Sequence, residues 1–561
     1  MSQPWWKKAV VYQIYPKSFY DTTGNGVGDI QGIIEKLDYL QGLGIDVVWL
    51  TPIYESPQHD NGYDIRDYVS INPEYGTMET FDRLLEQAHM RGIKIIMDIV
   101  VNHTSTEHPW FQAAKSAKDS PYRNFYIWKD GKNNEPPNNW QSKFGGSAWQ
   151  YDATTGQYYL HLFDVTQADL NWENPELREQ VYRMMQFWID KGVDGFRLDV
   201  INLISKNQQF PNDTLETPTA DGRKYYTDGP RVHEFLKEMH RRVFAKKANL
   251  MTVGEMSSTS IDNCIKYTNP AENELDMTFS FHHLKVDYPN GEKWVAAPFD
   301  FLKLKQILSK WQAGMQQGGG WNALFWSNHD QPRVVSRFGN DREHHKQSAK
   351  MLATALHFLQ GTPYIYQGEE IGMTNPCFET IGEYRDVESI NAYHLLGKQG
   401  RAETEIMAAL KQKSRDNSRT PMQWSDQMHA GFTGGTPWIS VSSNYKRINV
   451  ERALADSDSV FYHYKKLIQL RKKYDVISCG TFEWILEDDP YIFAYLRKYQ
   501  GDIVLVVNNF FATETTFSLP EHIQLDGTPC ILISNYADTA NQCHHLPLRP
   551  YESVAFLIQK S

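Results

Sequence analysis

The sequence predicts a parallel β-barrel with helices on its outside, and two observations carry that prediction. Short apolar runs rich in Val, Ile, Phe and Tyr recur along most of the chain, and each is followed by a segment with helical periodicity. Buried parallel strands that alternate with helices are the pattern of a (β/α)8 TIM barrel. The eight predicted strands are AVVYQIYP, IDVVWLTP, IKIIMDIVVNH, VDGFRLDV, LMTVGEM, DMTFSF, NALFWSNHD and TPYIYQGEE.

Two regions depart from this alternation. Residues 104–173, after the third strand, are rich in Trp, Tyr, Asn and Gly, which predicts a folded subdomain inserted into a strand-to-helix loop. From residue 480 the chain becomes all-β, with runs such as TFEWIL and DIVLVVNNF, which predicts a C-terminal antiparallel β-sandwich. The predicted domains are therefore a barrel formed by residues 1–103 and 174–479, an inserted subdomain at 104–173 and a sandwich at 480–561.

Composition excludes several classes of protein. The 561-residue chain has a formal net charge of −11, which argues against nucleic acid or an anionic membrane as a general partner. No stretch approaches about 18 uninterrupted apolar residues, and the start of the chain is too interrupted for a signal peptide. The five cysteines lack CxxC spacing, which favours a reduced compartment. We therefore expect a cytoplasmic protein that acts on a small molecule, as a monomer or a dimer.

Ionisable side chains gather where the predicted strands end, which is where the active site lies in such barrels. Asp199 follows strand four, Glu255 follows strand five and Asp330 follows strand seven. Other members of the cluster are Arg197, His103 and His329. Each of these residues alone is more often part of a structural ion pair, but together at the functional end of an apolar barrel they indicate catalysis.

The segments DIVVNH, GFRLDV, VGEM and NHD are similar to the signature segments of the α-amylase family of glycoside hydrolases, and the chain is identified as a member of that family. The similarity extends from VVYQIYP to the C-terminal strands. It implies that Asp199 is the nucleophile and Glu255 the general acid/base. It also implies that Asp330 holds sugar hydroxyls, while His103 and His329 donate hydrogen bonds to the sugar.

The chemistry of a retaining glycosidase agrees with these assignments. Such enzymes need one ionised carboxylate and one protonated carboxyl group about 5–5.5 Å apart. Arg197 lies two residues before Asp199, on the same face of the strand, and we expect it to lower the pKa of Asp199. The neighbouring Asp330 is expected to raise the pKa of Glu255 and keep that group protonated.

Two further segments bear on the shape of the substrate site. HDNGYDIRDY, after strand two, contains Asp60 and Tyr63, and SRDNSR contains Arg415. In the enzymes that the chain resembles, the aspartate and the arginine close off the subsite of the non-reducing glucose. The resemblance thus implies removal of one glucosyl unit at a time from a chain end. The alternative is that these residues form a surface ion pair.

DTTGNGVGD, residues 21–29, alternates oxygen-bearing positions in the manner of a calcium loop. The candidate ligands are Asp21, Thr23, Asn25, the Val27 carbonyl and Asp29. Members of the family often have more carboxylates here. A structural Ca²⁺ or Mg²⁺ and a plain Gly-rich turn therefore both remain open. We expect that no cofactor is required for catalysis.

FHHLKVDYPNGEKW, residues 281–294, gathers basic groups at the end of strand six of an acidic chain. The candidates are His282, His283, Lys285 and Lys293. In neutral-sugar glucosidases of the family the corresponding loop leans acidic, whereas this loop is similar to that of members acting on a sugar phosphate. A phosphate in the leaving-group subsite would need cations and histidine donors there. The alternative is a solvated charged loop.

The resemblance therefore implies retaining hydrolysis of α,α-trehalose 6-phosphate to glucose and glucose 6-phosphate, through a glucosyl-Asp199 intermediate. One alternative is an oligo-1,6-glucosidase or a broad α-glucosidase that acts on neutral sugars. A second is a catalytically inactive barrel that serves as a transporter-associated binding module. The intact set of three carboxylates and the lack of a predicted membrane span argue against the second alternative.

Overall fold

A parallel eight-stranded sheet lies at the centre of the computed structural model, which describes residues 3–133, 135–214 and 220–559. Its strands, numbered one to eight here, are Val11–Ile14, Val47–Leu50, Lys94–Ile99, Gly195–Leu198, Met251–Met256, Met277–Ser280, Ala323–Leu324 and Thr362–Tyr366. Their order is 6-5-4-3-2-1-8-7, and a parallel bridge between Thr278 and Asn322 nearly closes the sheet into a barrel. All eight strands predicted from the sequence are confirmed.

Burial explains why these segments form barrel strands. Apart from Lys94, every residue of the eight strands is buried. Such strands face packed side chains inside the barrel and helices outside it. Inside, the aromatic rings of Trp49, Phe279 and Tyr364 contact one another, with 4.6 Å between the centroids of the last two.

Helices follow the strands along the chain and cover the outside of the barrel. The helix Pro175–Lys191 begins at Asn174, whose side chain accepts the N–H of Glu176, and ends at Gly192, whose φ of 114° favours glycine. Among the described residues, no helix is both long and apolar enough to cross a membrane. The other helices of at least eight residues are Met78–Met90, Pro109–Ser116, Val232–Arg242, Ile261–Thr268, Phe301–Gly318, His345–His357, Val387–Lys398, Glu403–Lys413 and Val460–Lys473.

The chain between strands three and four forms β-structure of its own. The strand His103–Ser105 pairs with Gln167–Asp169, and this pair brings the two ends of the segment together. Between them lie the helix Pro109–Ser116 and a small antiparallel sheet. That sheet contains Trp128–Lys129, Gln157–Leu160 and Trp149–Asp152. The exact boundaries of the inserted subdomain stay a prediction.

The C-terminal region consists of antiparallel sheets, as the sequence predicts. A five-stranded sheet and a two-stranded sheet share a cluster of buried apolar side chains, to which Ile492 and Val507 contribute from the first and Phe517 and Leu546 from the second. The strands are Thr481–Ile485, Ile492–Tyr499, Asp502–Asn509, Thr515–Ser518, Pro529–Ser534, His545–Leu548 and Ser553–Ile558. Lys305, on a barrel helix, donates to three carbonyl oxygens at the start of this region.

The loop of residues 21–29 is a hydrogen-bonded turn. Asp21 accepts the N–H groups of Thr23, Gly24 and Gly26 at 2.8–2.9 Å. Asp29 accepts the N–H of Thr22 and caps the following helix, while the side chain of Asn25 accepts the N–H of Val27. These side-chain oxygens therefore already have donors, and the described residues contain no group of three His, Cys, Asp or Glu that could hold a metal ion. This geometry does not fit a preformed ligand shell, and the Ca²⁺ or Mg²⁺ site stays a prediction.

Candidate active site

The carboxyl ends of the barrel strands surround one cavity. The predicted site residues that line it are Asp60, Tyr63, His103, Asp199, Glu255, Lys285, Lys293, Asp330 and Arg415. Arg197 and His329 are buried next to the lining carboxylates. The fold thus brings together residues from distant parts of the sequence at the end of the barrel where the sequence predicts the site.

One arginine holds three carboxylates together on the cavity floor. Arg197 Nη1 lies 2.9 Å from Asp98 Oδ1 and 2.5 Å from Asp199 Oδ1. Its Nη2 lies 2.7 Å from Glu255 Oε2. Strands three, four and five are adjacent, and their parallel register places Arg197 opposite Asp98. The arginine side chain is only 1% exposed, so these contacts form away from water.

The backbone that follows Asp199 also contacts Glu255. Val200 has a φ of 34°, in a region that a β-branched residue rarely adopts. Its N–H donates to Glu255 Oε2 at 3.0 Å. Such backbone strain persists where the surroundings impose it, often at functional sites. Here the N–H of Val200 joins the Glu255 carboxyl group, near the end of strand five, to the end of strand four.

Three of the carboxyl groups that line the cavity, those of Glu255, Asp199 and Asp330, differ in pKa. Burial raises the pKa of Glu255 to about 8, with Arg197 opposing and Asp199 and Asp330 adding to the rise. Burial raises the pKa of Asp199 to about 6, although Arg197 opposes it. Burial would also raise the pKa of Asp330, but His329, Arg415 and Arg419 hold it well below its usual range. At neutral pH, Glu255 is thus the protonated group and Asp199 the ionised one.

Arg197 lowers the pKa of Asp199, as predicted, but the net shift of that pKa is upward. Burial outweighs the guanidinium, and the nearby Asp98 raises the pKa further. Arg197 cannot compensate Asp199 fully because it contacts Asp98 and Glu255 as well. The prediction treated the arginine and Asp199 as an isolated pair. The expected rise for Glu255 is present, with burial as its largest cause and Asp330 as a smaller one.

Buried ion pairs close one end of the cavity. Arg415 Nη2 lies 2.9 Å from Asp60 Oδ1, and Arg415 Nη1 lies 3.4 Å from Asp330 Oδ1. The side chains of Asp60 and Arg415 are 5% and 7% exposed, so the alternative of a surface ion pair is excluded. Asp386 accepts from Nε and Nη2 of the same guanidinium and holds it in place.

Tyr63 and the two predicted histidines occupy distinct places. The Tyr63 hydroxyl donates to Asp98 at 2.9 Å, and its ring stacks on His329 with 5.1 Å between centroids. His103 lines the cavity, and burial lowers its pKa to about 4, so it is neutral there. His329 Nε2 lies 3.3 Å from Asp330 Oδ2. Burial lowers the pKa of His329 to about 3, so both imidazoles are neutral at neutral pH.

The four basic candidates after strand six separate into two groups. Lys285 and Lys293 line the cavity, but Lys293 forms an ion pair with both oxygens of Glu388 at 2.6 Å. His282 stacks on Trp311, and His283 lies 2.9 Å from the Phe325 carbonyl oxygen. Neither histidine lines the cavity, which contradicts their predicted contact with the leaving group. The short helical turn His282–Lys285 directs them into the packing around strand seven.

The segment between strands three and four contributes cavity residues that the sequence reasoning missed. Lys143 lines the cavity and donates to Ser257 Oγ at 3.0 Å, two residues beyond Glu255. Burial lowers the pKa of Lys143 to about 8, and the charges of Arg223 and Lys285 lower it further. Gln167 donates to Asp60 at 3.1 Å. A lysine within QSKFGG carries no local signal for such a role, because only the fold brings that loop over strand five.

A protonated glutamic acid and an ionised aspartate, held by one arginine at the carboxyl ends of a (β/α)8 barrel, define a glycoside hydrolase. The model of the alpha-amylase catalytic domain matches residues 13–480. The alpha-amylase SusG C-terminal domain model matches residues 492–555. The chain belongs to the α-amylase family of glycoside hydrolases, as its sequence segments predict.

Individual relatives are similar over the full chain. The trehalose-6-phosphate hydrolase of Bacillus subtilis (strain 168) is 65% identical over 558 residues, covering 99% of each chain. The oligo-1,6-glucosidase of Parageobacillus thermoglucosidasius is 54% identical over 563 residues, covering 100% of each. A crystal structure of the trehalose-6-phosphate hydrolase of Bacillus licheniformis has a TM-score of 0.95 at 65% identity and covers 100% of both chains.

We expect a bell-shaped pH dependence of kcat/KM on a neutral aryl α-glucoside. Activity needs Asp199 ionised, so it rises as pH increases through about 6. It also needs Glu255 protonated, so it falls as pH increases through about 8. Initial rates measured between these limits and beyond them test the prediction. A profile that keeps rising above the upper limit would contradict the acid role of Glu255.

We expect Asp199→Asn to lower turnover of the same substrate by several orders of magnitude, because the amide cannot act as the nucleophile. The change is nearly isosteric and should leave the fold intact, which circular dichroism can check. Asp276→Asn is the matched control, because Asp276 is half-buried just before strand six and accepts the N–H of Thr252 away from the cavity. Near-normal turnover by Asp199→Asn would contradict the assignment of Asp199 as the nucleophile.

Proposed function

We propose that this protein hydrolyses α,α-trehalose 6-phosphate to glucose and glucose 6-phosphate with retention of configuration. The observation that carries the proposal is a pair of lysines, Lys143 and Lys285, that line the cavity without an ion-pair partner among the residues described. Half-buried positive charge without a partner carries a desolvation cost, and an anionic ligand offsets that cost. A phosphate group on the substrate supplies such an anion.

The position of the two lysines assigns the phosphate to the leaving group. Asp60, Arg415 and Asp330 close the opposite end of the cavity, and we place a single glucosyl unit there. Glu255, the acid, protonates the oxygen that joins this unit to the leaving group. Lys143 contacts Ser257, just beyond Glu255, so its charge lies on the leaving-group side.

Electrostatics within the cavity support a doubly charged ligand. Burial lowers the pKa of Lys143 to about 8 and also lowers the pKa of Lys285. Each lysine also lies in the field of Arg223, whose charge is partly taken up by Asp221 at 2.8 Å. A bound phosphate, with a charge near −2, would favour the charged form of both lysines. It would also offset the repulsion between each lysine and Arg223. Lys293 is already neutralised by Glu388 and contributes less.

The reaction follows from the protonation states. Asp199 attacks the anomeric carbon while Glu255 transfers its proton to the glycosidic oxygen, and glucose 6-phosphate leaves. Glu255, now ionised, takes a proton from water, and that water attacks the anomeric carbon of glucosyl-Asp199. Glucose is released with its α configuration, and both carboxyl groups return to their starting states. Asp330 and Arg415 bind the hydroxyl groups of the glucosyl unit throughout.

The rival functions lack a comparable observation. A glucosidase for neutral sugars, such as the oligo-1,6-glucosidase relatives, has no ligand charge to compensate Lys143 and Lys285. A transporter-associated binding module has no use for a carboxyl group with its pKa raised to about 8 beside an ionised aspartate. We also propose a cytoplasmic location, which the five unpaired cysteines and the charged substrate support.

Turnover of trehalose 6-phosphate, trehalose and isomaltose, measured side by side, tests the proposal. We expect kcat/KM to be highest for trehalose 6-phosphate, because only this sugar offers an anion to the lysines. NMR at early times should show α-glucose before the β anomer. A preference for isomaltose would favour the oligo-1,6-glucosidase alternative, and early β-glucose would mean inversion.

Removal of either lysine should selectively lower kcat/KM for the phosphorylated substrate. Hydrogen bonds to a charged group are worth about 1.5–3 kcal/mol, so Lys285→Ala and Lys143→Ala should each lower kcat/KM for trehalose 6-phosphate about 10–150-fold. Lys285→Glu should be worse, because repulsion replaces attraction. A neutral aryl α-glucoside should be cleaved almost normally by all three variants.

Lys293→Ala is the matched control, because Lys293 also lines the cavity but is paired with Glu388. We expect it to affect both substrates to a similar degree. Equal losses on both substrates in the Lys143 and Lys285 variants would mean that these lysines support the barrel and do not bind phosphate.

A further inference from the structure

Ser257 lies just beyond the end of strand five and lines the cavity, but the reaction above gives it no part. Its hydroxyl oxygen accepts a hydrogen bond from Lys143 Nζ at 3.0 Å. The two residues are 114 positions apart in the sequence. This contact therefore joins the segment between strands three and four to the loop that follows Glu255.

The backbone around Ser257 is held by the side chain of Asn202, which follows strand four and is 0% exposed. The N–H of Ser257 donates to Asn202 Oδ1 at 3.1 Å, and Asn202 Nδ2 donates to the Ser258 carbonyl oxygen at 2.9 Å. Asn202 Nδ2 also donates to Asp228 Oδ1 at 3.0 Å. The position of Ser257 is thus fixed relative to the strand that carries the nucleophile.

The ammonium group of Lys143 has few other contacts that fix its place. Its Nζ lies 5.5 Å from the centroid of the Tyr226 ring, a contact with little directional preference along the ring face. A lysine side chain is long and flexible, and holding it in one conformation costs entropy. Among the described residues, Ser257 is the hydrogen-bond acceptor of this ammonium group. The serine hydroxyl is therefore the group that determines where the charge lies in the cavity.

We propose that Ser257 is a positioning residue that sets the preference for an anionic leaving group by holding the Lys143 ammonium group in the cavity. This role rests on the proposed function, in which Lys143 binds the phosphate. With the hydroxyl present, the charge is in place before the substrate arrives, and less conformational freedom is lost on binding. Without the hydroxyl, the lysine side chain is free to direct its charge into solvent.

Ser257→Ala removes the hydroxyl group and leaves Lys143 in the chain. We expect kcat/KM for trehalose 6-phosphate to fall about 3- to 10-fold, which corresponds to the loss of one hydrogen bond. The fall for a neutral aryl α-glucoside should be smaller, because that substrate offers no anion to the lysine. Ser257→Thr keeps a hydroxyl group and should restore the ratio of the two kcat/KM values to that of the parent.

A double-mutant cycle separates the positioning of Lys143 from any other effect of Ser257. In the Lys143→Ala variant the hydroxyl group has no ammonium group to hold. Adding Ser257→Ala to that variant should therefore leave the ratio of the two kcat/KM values unchanged. A loss of the ratio that is as large in the Lys143→Ala background as in the parent would mean that Ser257 acts independently of Lys143, and it would overturn the proposal.

The pKa of Lys143 provides a measurement that does not depend on the substrate. Burial lowers this pKa to about 8 in the parent, and acylation of Lys143 by acetic anhydride across a range of pH, followed by mass spectrometry, measures it. In Ser257→Ala the ammonium group gains access to water, so its pKa should rise towards about 10.4, the value of a solvated lysine. The charged groups around it are the same in both proteins: Arg223, Lys285, Asp221 and Glu255.

Ser260→Ala is the matched control, because Ser260 lies on the same loop and its hydroxyl oxygen accepts the N–H of Asn263 at the start of the helix Ile261–Thr268, away from the cavity. It should lower the Tm without changing the substrate ratio or the pKa of Lys143.

Two results in Ser257→Ala would each overturn the proposal: a substrate ratio equal to that of the parent, or a Lys143 pKa that is unchanged or lower. A parent protein with no preference for trehalose 6-phosphate would instead contradict the proposed function. In that case the pKa of Lys143 in the parent and in Ser257→Ala still decides whether the hydroxyl group holds the lysine.

Discussion

The buried guanidinium of Arg197 is the interaction on which the active site depends. It contacts Asp98, Asp199 and Glu255, which come from three adjacent strands, at 2.5–2.9 Å. Without it, three carboxyl groups would share a buried space with no compensating charge, which costs several kcal/mol per ion. Because a single guanidinium contacts three carboxyl groups, it cannot keep all three fully ionised. The result is a difference in pKa between Asp199 and Glu255, which is what a nucleophile and an acid require.

The two ends of the cavity differ in whether their charged side chains form ion pairs. At the closed end, the guanidinium groups of Arg415 and Arg419 are paired with the carboxyl groups of Asp60, Asp330 and Asp386. At the other end, Lys143 and Lys285 line the cavity and have no ion-pair partner among the described residues. In the proposed function, selectivity for a phosphorylated leaving group would come from this unpaired charge. The segment between strands three and four supplies part of this charge through Lys143, as well as Gln167 at the closed end.

Errors in the sequence interpretation have a common physical origin. The register and short-range spacing of Arg197 and Asp199 were correct, but the pKa of Asp199 depends on Asp98 and on burial, which are tertiary effects. His282, His283 and Lys285 are neighbours in sequence, yet a tight helical turn sends the histidines into the core and the lysine into the cavity. Spacing along the chain predicts the direction in which a side chain points only where the secondary structure is regular.

The sequence by itself determined the eight barrel strands, the antiparallel C-terminal sheets and the set of carboxyl groups at the strand ends. These follow from apolar runs and from positions adjacent to them, which are local features that a parallel barrel converts into a shared site. Tertiary structure alone decided that the contact between Asp60 and Arg415 is buried, and that Lys143 reaches the cavity and contacts Ser257. Each of these contacts joins segments far apart along the chain, and no local pattern encodes the distance between them.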